Sequence, residues 1–242
     1  MDDKPTGVTQ VALSQATLLS APPVVAARRC GLDEVGRGAL AGPLVAAAVI
    51  LPEDIRERLG ALAPFLRDSK ATPRGKREAV ARALREHALV IALAVAPVSV
   101  IDTRGIGWAN RDVFGRLIGQ IDADDYVVDG KIKPTVPADR IARVRCLVKA
   151  DAQAPAVSAA SIIAKVYRDH LMAELAREHS GYGWERNAGY GSAEHLAALR
   201  ALGPSPHHRA LFVETALSGG QRARRAGAKR RGEAPSDNPT LM

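Results

Sequence analysis

Four carboxylates in this chain stand at positions where they could bind metal ions. Each comes at or just after the end of a short apolar run of the kind that forms a buried strand. An unpaired carboxylate beside buried chain is costly, and several that converge repel one another unless hard divalent cations neutralise them. Taken singly, each acid is more typical of a turn. Together, Asp33, Glu34, Asp129 and Asp151 are harder to explain as separate turns and are compatible with a divalent-metal site, although their spacing in the sequence does not show that they meet in space.

A glycine-rich segment, Gly36-Arg37-Gly38, follows the first two acids. Glycine has no Cβ, so a sugar–phosphate backbone could approach the chain closely there, with Arg37 as a partner for the anion. A plain hairpin turn is the alternative. Neighbours on a regular strand point to opposite faces, so Asp33 and Glu34 are expected to share one metal site only if this turn breaks the strand.

Other catalytic chemistries have less support. The chain has no His-Glu-x-x-His, no Gly-x-Ser-x-Gly and no phosphate-binding Gly-Lys-Ser/Thr sequence. Its two cysteines, Cys30 and Cys146, cannot form a cysteine-rich zinc site and are expected to be buried thiols, which favours a reducing compartment, the cytoplasm.

The apolar pattern divides the chain into a leader, one folded domain and a tail. Residues 1–27 are expected to be a mobile leader, residues 28–217 the domain, and residues 218–242 a disordered basic tail. The tail is interpreted either as a solubilising end or as a non-specific contact to nucleic acid, and the net charge of +8 is compatible with an anionic partner.

Within the domain, short apolar runs alternate with helical spacing. This pattern predicts a mixed α/β sheet flanked by helices, with a helical C-terminal part. The predicted strands are Arg28–Val35, Leu44–Leu51, Val90–Val95, Tyr126–Val128 and Val144–Val148. The predicted helices are Pro73–His87 (with Thr72 as N-cap), Gly107–Ile121, Val157–His179 and Ser192–Leu202.

Several segments, in order, resemble the type 2 ribonuclease H (ribonuclease HII) family over about residues 28–215. The most specific are Gly31-Leu32-Asp33-Glu34-Val35-Gly36-Arg37-Gly38 and the stretch from Ser158 to Asp169. Shorter matches are Asp68-Ser69-Lys70, Val128-Asp129-Gly130, Lys149-Ala150-Asp151, Gly189-Tyr190-Gly191-Ser192 and Gly203-Pro204-Ser205-Pro206-His207-His208-Arg209. The chain departs from the family pattern at Ala188, where lysine is common, and at Ala150, where glycine is usual.

This resemblance implies a ribonuclease H-like fold with a C-terminal helical extension. It implies an endonuclease that cuts RNA–DNA hybrids and ribonucleotide-containing duplex DNA with Mn²⁺ or Mg²⁺, giving 5′-phosphate and 3′-hydroxyl ends. It assigns the metal and the catalysis to Asp33, Glu34, Asp129 and Asp151, and substrate binding to Gly36, Arg37, Gly38, Ser69, Lys70, Lys165 and Tyr190. The chain is expected to be a monomer without a clear sliding-clamp motif. A junction resolvase of the same fold and a non-enzymatic duplex-binding protein are the alternatives.

Overall fold

A mixed sheet forms the centre of the computed structural model, which describes residues 17–20, 28–67, 69, 72–150 and 154–219. Its described strands lie in the order β1-β4-β3-β2-β5-β6. β2, β3 and β4 are antiparallel neighbours, whereas β5 is parallel to β2, and β6 is parallel to β5. The strands are β1 (Thr17–Ser20), β2 (Arg29–Val35), β3 (Leu44–Ile50), β4 (Val90–Ala96), β5 (Asp125–Asp129) and β6 (Val144–Leu147).

Helices cover both faces of the sheet. They are α1 (Ile55–Leu59), α2 (Arg74–His87), α3 (Val98–Arg104), α4 (Ile106–Gln120), α5 (Pro155–Glu178), α6 (Trp184–Asn187), α7 (Ala193–Leu202) and α8 (210–219), with two short 3₁₀ helices at Gly60–Phe65 and Ala138–Arg143. None of the described helices is long and apolar enough to cross a membrane.

The position of β3 inside the sheet explains why its sequence is apolar throughout. All seven of its residues are buried, because alternate side chains enter the cores on opposite faces. Ala46 and Ala48 pack on the side of α4, together with Phe114, whereas Val45 and Val49 pack on the side of α2 and α5. A strand buried on both faces needs no polar alternation, so a continuous apolar run predicts it correctly.

The long helix α5 approaches the sheet closely because its first half carries small residues. Ala159, Ala160 and Ala164 are fully buried against the sheet. Near the start of the helix, Gly31 of β2 lies directly under the backbone of Ala156. This contact fixes the distance between α5 and the strand that carries the first two acids.

The C-terminal helices form a third core of their own. Met172 of α5 and Trp184 of α6 pack there with Leu199 of α7, Val213 of α8 and Leu40 from the connection between β2 and β3. The helical C-terminal part therefore packs directly against the glycine-rich connection that follows the two acids.

The predicted mixed sheet covered by helices is confirmed, and the bounds of the predicted elements agree to within two residues. The Thr72 N-cap is wrong: Pro73 occupies that position without a side-chain cap, and the Thr72 hydroxyl donates to Phe65 O at 3.4 Å. Cys30 is buried as expected, but Cys146 is partly exposed.

The two ends of the chain are only partly described. Within the expected leader, Thr17–Ser20 pairs with β4, while residues 1–16 and 21–27 lie outside the described residues. Residues 218 and 219 end α8, and the rest of the tail also lies outside them.

The contact between Gly31 and α5 predicts a specific loss of stability. A Cβ at Gly31 would lie 2.2 Å from the carbonyl carbon of Ala156, so Gly31→Ala must displace backbone and is expected to cost about 1–3 kcal/mol. Gly119→Ala is the control, because that exposed α4 position has nothing within 4 Å, and it should be neutral or stabilise by about 0.5–1 kcal/mol. Urea unfolding of both variants measures the difference, and equal stabilities would contradict the described packing.

Candidate active site

A cleft of about 500 Å³ opens where β2 and β5 end side by side. Three of the four predicted acids line it, and so do most of the residues assigned to substrate binding. The lining residues are Asp33, Glu34, Val35, Gly36, Arg37, Gly38, Ser69, Asp129, Ser161, Lys165 and Tyr190. Asp151 and Lys70 lie outside the described residues, so their place in the site stays a prediction.

Asp33 and Glu34 reach the cleft from opposite faces of an unbroken strand. β2 remains paired with β3 as far as Val35, so the expectation that the glycine turn must break the strand is wrong. Pairing between β2 and β5, however, ends at Leu32 and Val128. Beyond that point the sheet is split, and the cleft at the split is open to side chains from both faces.

Asp33 lies on the α5 side and is 9% exposed. Burial raises the pKa of Asp33 to about 7; hydrogen bonding to Ser161 opposes the rise, and the charges of Glu34 and Asp129 add to it. The Ser161 hydroxyl also lies 2.8 Å from the hydroxyl of Ser69, which connects α5 to the segment before α2.

Glu34 lies on the α4 side, next to a residue that the sequence did not single out. Burial raises the pKa of Glu34, the Asn110 amide and the charge of Arg37 oppose the rise, and Asp129 adds to it. Asn110 is fully buried, and its amide atoms form no hydrogen bond of normal geometry within the described part of the chain. A polar side chain is costly in such a place, so its position beside Glu34 indicates a role in orienting this carboxylate.

Asp129, at the end of β5, holds the chain that leads to Asp151. Its Oδ1 accepts a hydrogen bond from the backbone N–H of Ala150 at 2.8 Å. Just before it, Lys149 has a φ of 58°, a left-handed conformation that is uncommon outside glycine. Asp129 thus fixes the backbone immediately before the fourth predicted acid.

The three described acids fit a divalent cation. Their oxygen atoms are the hard ligands that Mg²⁺ and Mn²⁺ prefer. The raised pKa values of Asp33 and Glu34 show that burial and mutual repulsion disfavour the charged carboxylates. A cation bound between them would relieve that repulsion.

The glycine-rich connection beside the acids is fixed by contacts from distant parts of the chain. Gly36 has a φ of 89°, and its N–H donates to the hydroxyl of Tyr190 at 3.1 Å. The Arg168 guanidinium lies 5.4 Å from the centre of the Tyr190 ring, a cation–π contact. Tyr190 is 37% exposed. One face of its ring packs on the Arg168 guanidinium, and its hydroxyl binds the loop at Gly36.

Two buried arginines hold the same connection through its carbonyl groups. Arg168 donates to Pro43 O, Ala41 O and Ala188 O at 2.9, 2.9 and 2.8 Å. Arg209 donates twice to Gly42 O, at 3.0 and 2.8 Å, and once to Arg37 O, at 3.1 Å. Burial lowers the pKa of both, that of Arg209 to about 9.

Lys165 and Ser69 lie on the α5 side of the cleft. Lys165 Nζ is 2.5 Å from Asp169, whose carboxylate is also 3.6 Å from Arg77. Arg77 in turn donates to Ser69 O at 2.6 Å. Lys165 is therefore neutralised within the protein, and it is a weaker candidate for a phosphate contact than the exposed Arg37.

Several residues that build the site were missed by reasoning from single positions. Ser161 and Arg168 both lie inside the family-like stretch from Ser158 to Asp169, and Arg209 ends another such stretch, so the resemblance included them without assigning a role. Asn110 ends the segment from Arg104 to Asn110, which keeps only part of the family's usual pattern, so the resemblance assigned it no role.

Comparison with known proteins identifies the family. The family model described as ribonuclease HII matches residues 30–215. Ribonuclease HII of Paramagnetospirillum magneticum is 44% identical over 194 residues, which cover 77% of this chain and 90% of that protein.

Two solved structures have the same ribonuclease H-like fold. Ribonuclease H2 of Pyrococcus horikoshii matches with a TM-score of 0.63 and 26% identity, covering 81% of this chain and 99% of the other. The ribonuclease HII in a complex with PCNA from Archaeoglobus fulgidus matches with a TM-score of 0.62 and 26% identity, covering 76% and 94% of the two chains. The fold implied by the resemblance is thus confirmed. The chain belongs to the ribonuclease HII family and is a metal-dependent nuclease of the ribonuclease H type.

Proposed function

We propose that this enzyme hydrolyses the RNA strand of RNA–DNA hybrids and cuts on the 5′ side of ribonucleotides embedded in duplex DNA, leaving 5′-phosphate and 3′-hydroxyl ends. The observation that carries the proposal is the convergence of Asp33, Glu34 and Asp129 in one cleft, directly beside the loop Gly36–Gly38. Acids that bind metal and a backbone that can approach a sugar are thus adjacent, as cleavage at a ribonucleotide requires.

The acids bind and orient the metal in this proposal. Asp33, Glu34 and Asp129 are the ligands within the described residues, and Asp151 is the proposed fourth. Bound Mg²⁺ or Mn²⁺ would supply a hydroxide nucleophile and stabilise the leaving 3′-oxygen. Ser161 lies beside Asp33 and Asn110 beside Glu34, on the two sides of the split sheet, and in this proposal they orient both carboxylates toward the same phosphate.

The loop and Tyr190 select the ribonucleotide. A 2′-hydroxyl is what distinguishes RNA from DNA, and backbone groups at Gly36, Arg37 and Gly38 can contact it because no Cβ at either glycine stands in the way. Tyr190 presents a ring supported by Arg168 to the neighbouring sugar. Arg37 meets the phosphate, and Ser69, Lys70 and Lys165 are weaker candidates for phosphate contacts.

The cellular setting follows from the substrate. An enzyme that removes ribonucleotides from duplex DNA acts in ribonucleotide excision repair and after DNA replication. The proposed compartment is the cytoplasm, because the free thiols Cys30 and Cys146 favour a reducing environment. The monomeric state and the lack of a clamp-binding motif stay predictions from the sequence.

The proposal is tested with labelled duplex DNA containing one ribonucleotide, with and without Mn²⁺ or Mg²⁺. One cut on the 5′ side of the ribonucleotide, dependent on the metal, is expected. An all-DNA branched duplex should remain intact, and cleavage of that substrate would instead indicate a junction resolvase.

The metal role predicts that Asp129→Asn lowers turnover at least about 100-fold, since removing one ligand charge forfeits several kcal/mol of transition-state stabilisation. The asparagine oxygen can still accept the Ala150 N–H, so the fold and duplex binding should persist. Asp122→Asn, an exposed position outside the cleft, is the matched control and should turn over normally. Single-turnover rates and a binding titration separate the two effects, and wild-type turnover of Asp129→Asn would contradict the assignment.

The raised pKa of Asp33 predicts that this residue lowers the stability of the metal-free protein. The unfolded state releases the proton near pH 4, whereas the native state retains it to about pH 7, so native stability falls over that interval and is level above it. Asp33→Asn should therefore stabilise the metal-free protein at pH 8. The melting temperature should rise, and the free energy of unfolding should increase by a few kcal/mol at most, an increase that disappears near pH 4. Thermal melts across this pH range measure the gain, and a variant less stable at pH 8 would refute the prediction.

The support of Tyr190 predicts a graded loss on substitution. Tyr190→Phe keeps the ring over Arg168 but deprives the Gly36 N–H of its acceptor, so the rate should fall by a factor of about 2–10. Tyr190→Ala removes the ring and misplaces the sugar, which can cost on the order of 100-fold. The loss should be larger on a single embedded ribonucleotide than on a long hybrid, which offers many registers. An unaffected Ala variant would show that Tyr190 only packs.

A further inference from the structure

A second group of metal-binding side chains lies away from the cleft. Glu178 and His179 stand at the C-terminal end of α5, and His207 lies in the segment between α7 and α8. One ligand atom from each of the three lies within 4.8 Å of the other two. None of the three lines the cleft that holds the acids.

The donor set of this group differs from that of the cleft. Two imidazoles and one carboxylate suit Zn²⁺ and related transition metals, whereas Mg²⁺ prefers oxygen ligands alone. Three ligands from the protein leave a fourth tetrahedral position for water. Ligand atoms in such a site lie roughly 3.4 Å apart, for metal–ligand bonds of about 2.0–2.1 Å. Rotation of the exposed Glu178 side chain and a small shift of the two rings would bring the three ligand atoms, now within 4.8 Å of one another, to that distance.

The two imidazoles are held in place by their neighbours. The rings of His179 and His207 meet edge to face with their centres 4.8 Å apart, and both lie within 6.2 Å of the buried Trp184 ring. The backbone carbonyl of His207 also accepts a hydrogen bond from Gly42 N at 2.8 Å. The arrangement is therefore largely formed before any ion binds.

Two further features favour a cation at this place. The C-terminal end of α5 carries the negative end of the helix dipole. The adjacent His208 does not compete, because its ring nitrogens contact Ser205 N at 2.9 Å and His195 Nε2 at 3.0 Å. His207 is thus the imidazole of the pair that faces Glu178 and His179.

We propose that Glu178, His179 and His207 form a binding site for Zn²⁺ or a chemically similar transition metal. The ion would join the end of α5 to the segment that continues into Arg209, which holds the glycine-rich loop through Gly42 O and Arg37 O. An ion that binds only the folded arrangement would stabilise the packing of the C-terminal part on the loop.

Zinc binding to the full-length protein tests the site. The experiment uses an Asp33→Asn/Asp129→Asn background, so that Zn²⁺ in the cleft does not contribute, and measures stoichiometry and affinity by calorimetry. One equivalent of Zn²⁺ should bind. His207→Ala in this background should weaken that binding at least on the order of 100-fold, since loss of even an outer partner of a ligand costs 10–100-fold.

Two further variants separate the site from unfolding and from general histidine affinity. Glu178→Gln changes an exposed side chain, so it should leave the fold intact while weakening Zn²⁺ binding. His170→Ala removes a partly exposed histidine of the same helix, beside Glu78 and outside the group, and should leave binding unchanged. Zinc should raise the melting temperature of the parent and the His170 variant only.

Absence of zinc binding in the double-aspartate background would overturn the proposal. Undiminished binding by both His207→Ala and Glu178→Gln would overturn it as well. Neither result bears on the nuclease, whose proposed metal ligands lie elsewhere.

Discussion

The guanidinium groups of Arg168 and Arg209 hold the loop between β2 and β3, and the geometry of the candidate active site depends on these contacts. Both side chains are fully buried, and they bind backbone carbonyls at Ala41, Gly42 and Pro43. Within the described residues neither has a carboxylate within 4.0 Å, so hydrogen bonds to carbonyl groups compensate for burying the charge. Loss of Arg168 would remove the partner of three carbonyls and loss of Arg209 that of two, and each buried carbonyl left without a partner costs about 1–3 kcal/mol.

The same contacts join the C-terminal helices to the sheet. Arg168 reaches Ala188 beyond α6, and the Tyr190 hydroxyl binds Gly36 N–H. The acids belong to the sheet, whereas the groups proposed to recognise the sugar are held by α5 and the C-terminal part. The proposed cleavage chemistry and the proposed substrate selection thus belong to different layers of the fold, and the buried arginines join these layers.

The parts of the fold and of the site that the sequence predicts are those that depend on interactions between residues close together in the chain. β3 was predicted because burial on both faces makes its sequence continuously apolar. The acids were noticed because each ends such a run, and their assignment came from the family-like motifs. Short elements such as α1 and α6 have too few residues for a periodic signal. The way Asp33 and Glu34 share the cleft was not predictable, because it depends on where β5 stops pairing with β2.

The buried contacts of Asn110, Arg168 and Arg209 were equally invisible, since each joins residues far apart in the chain. Arg37 O and its partner Arg209 are 172 positions apart. At a synthesis rate of about 5–20 residues per second, roughly 10–35 s separate the emergence of the two from the ribosome. The acids of β2 therefore leave the ribosome well before the arginine that orders the loop beside them. During that interval a growing chain consequently carries these carboxylates without the ordered loop that is proposed to contact the nucleic acid beside them.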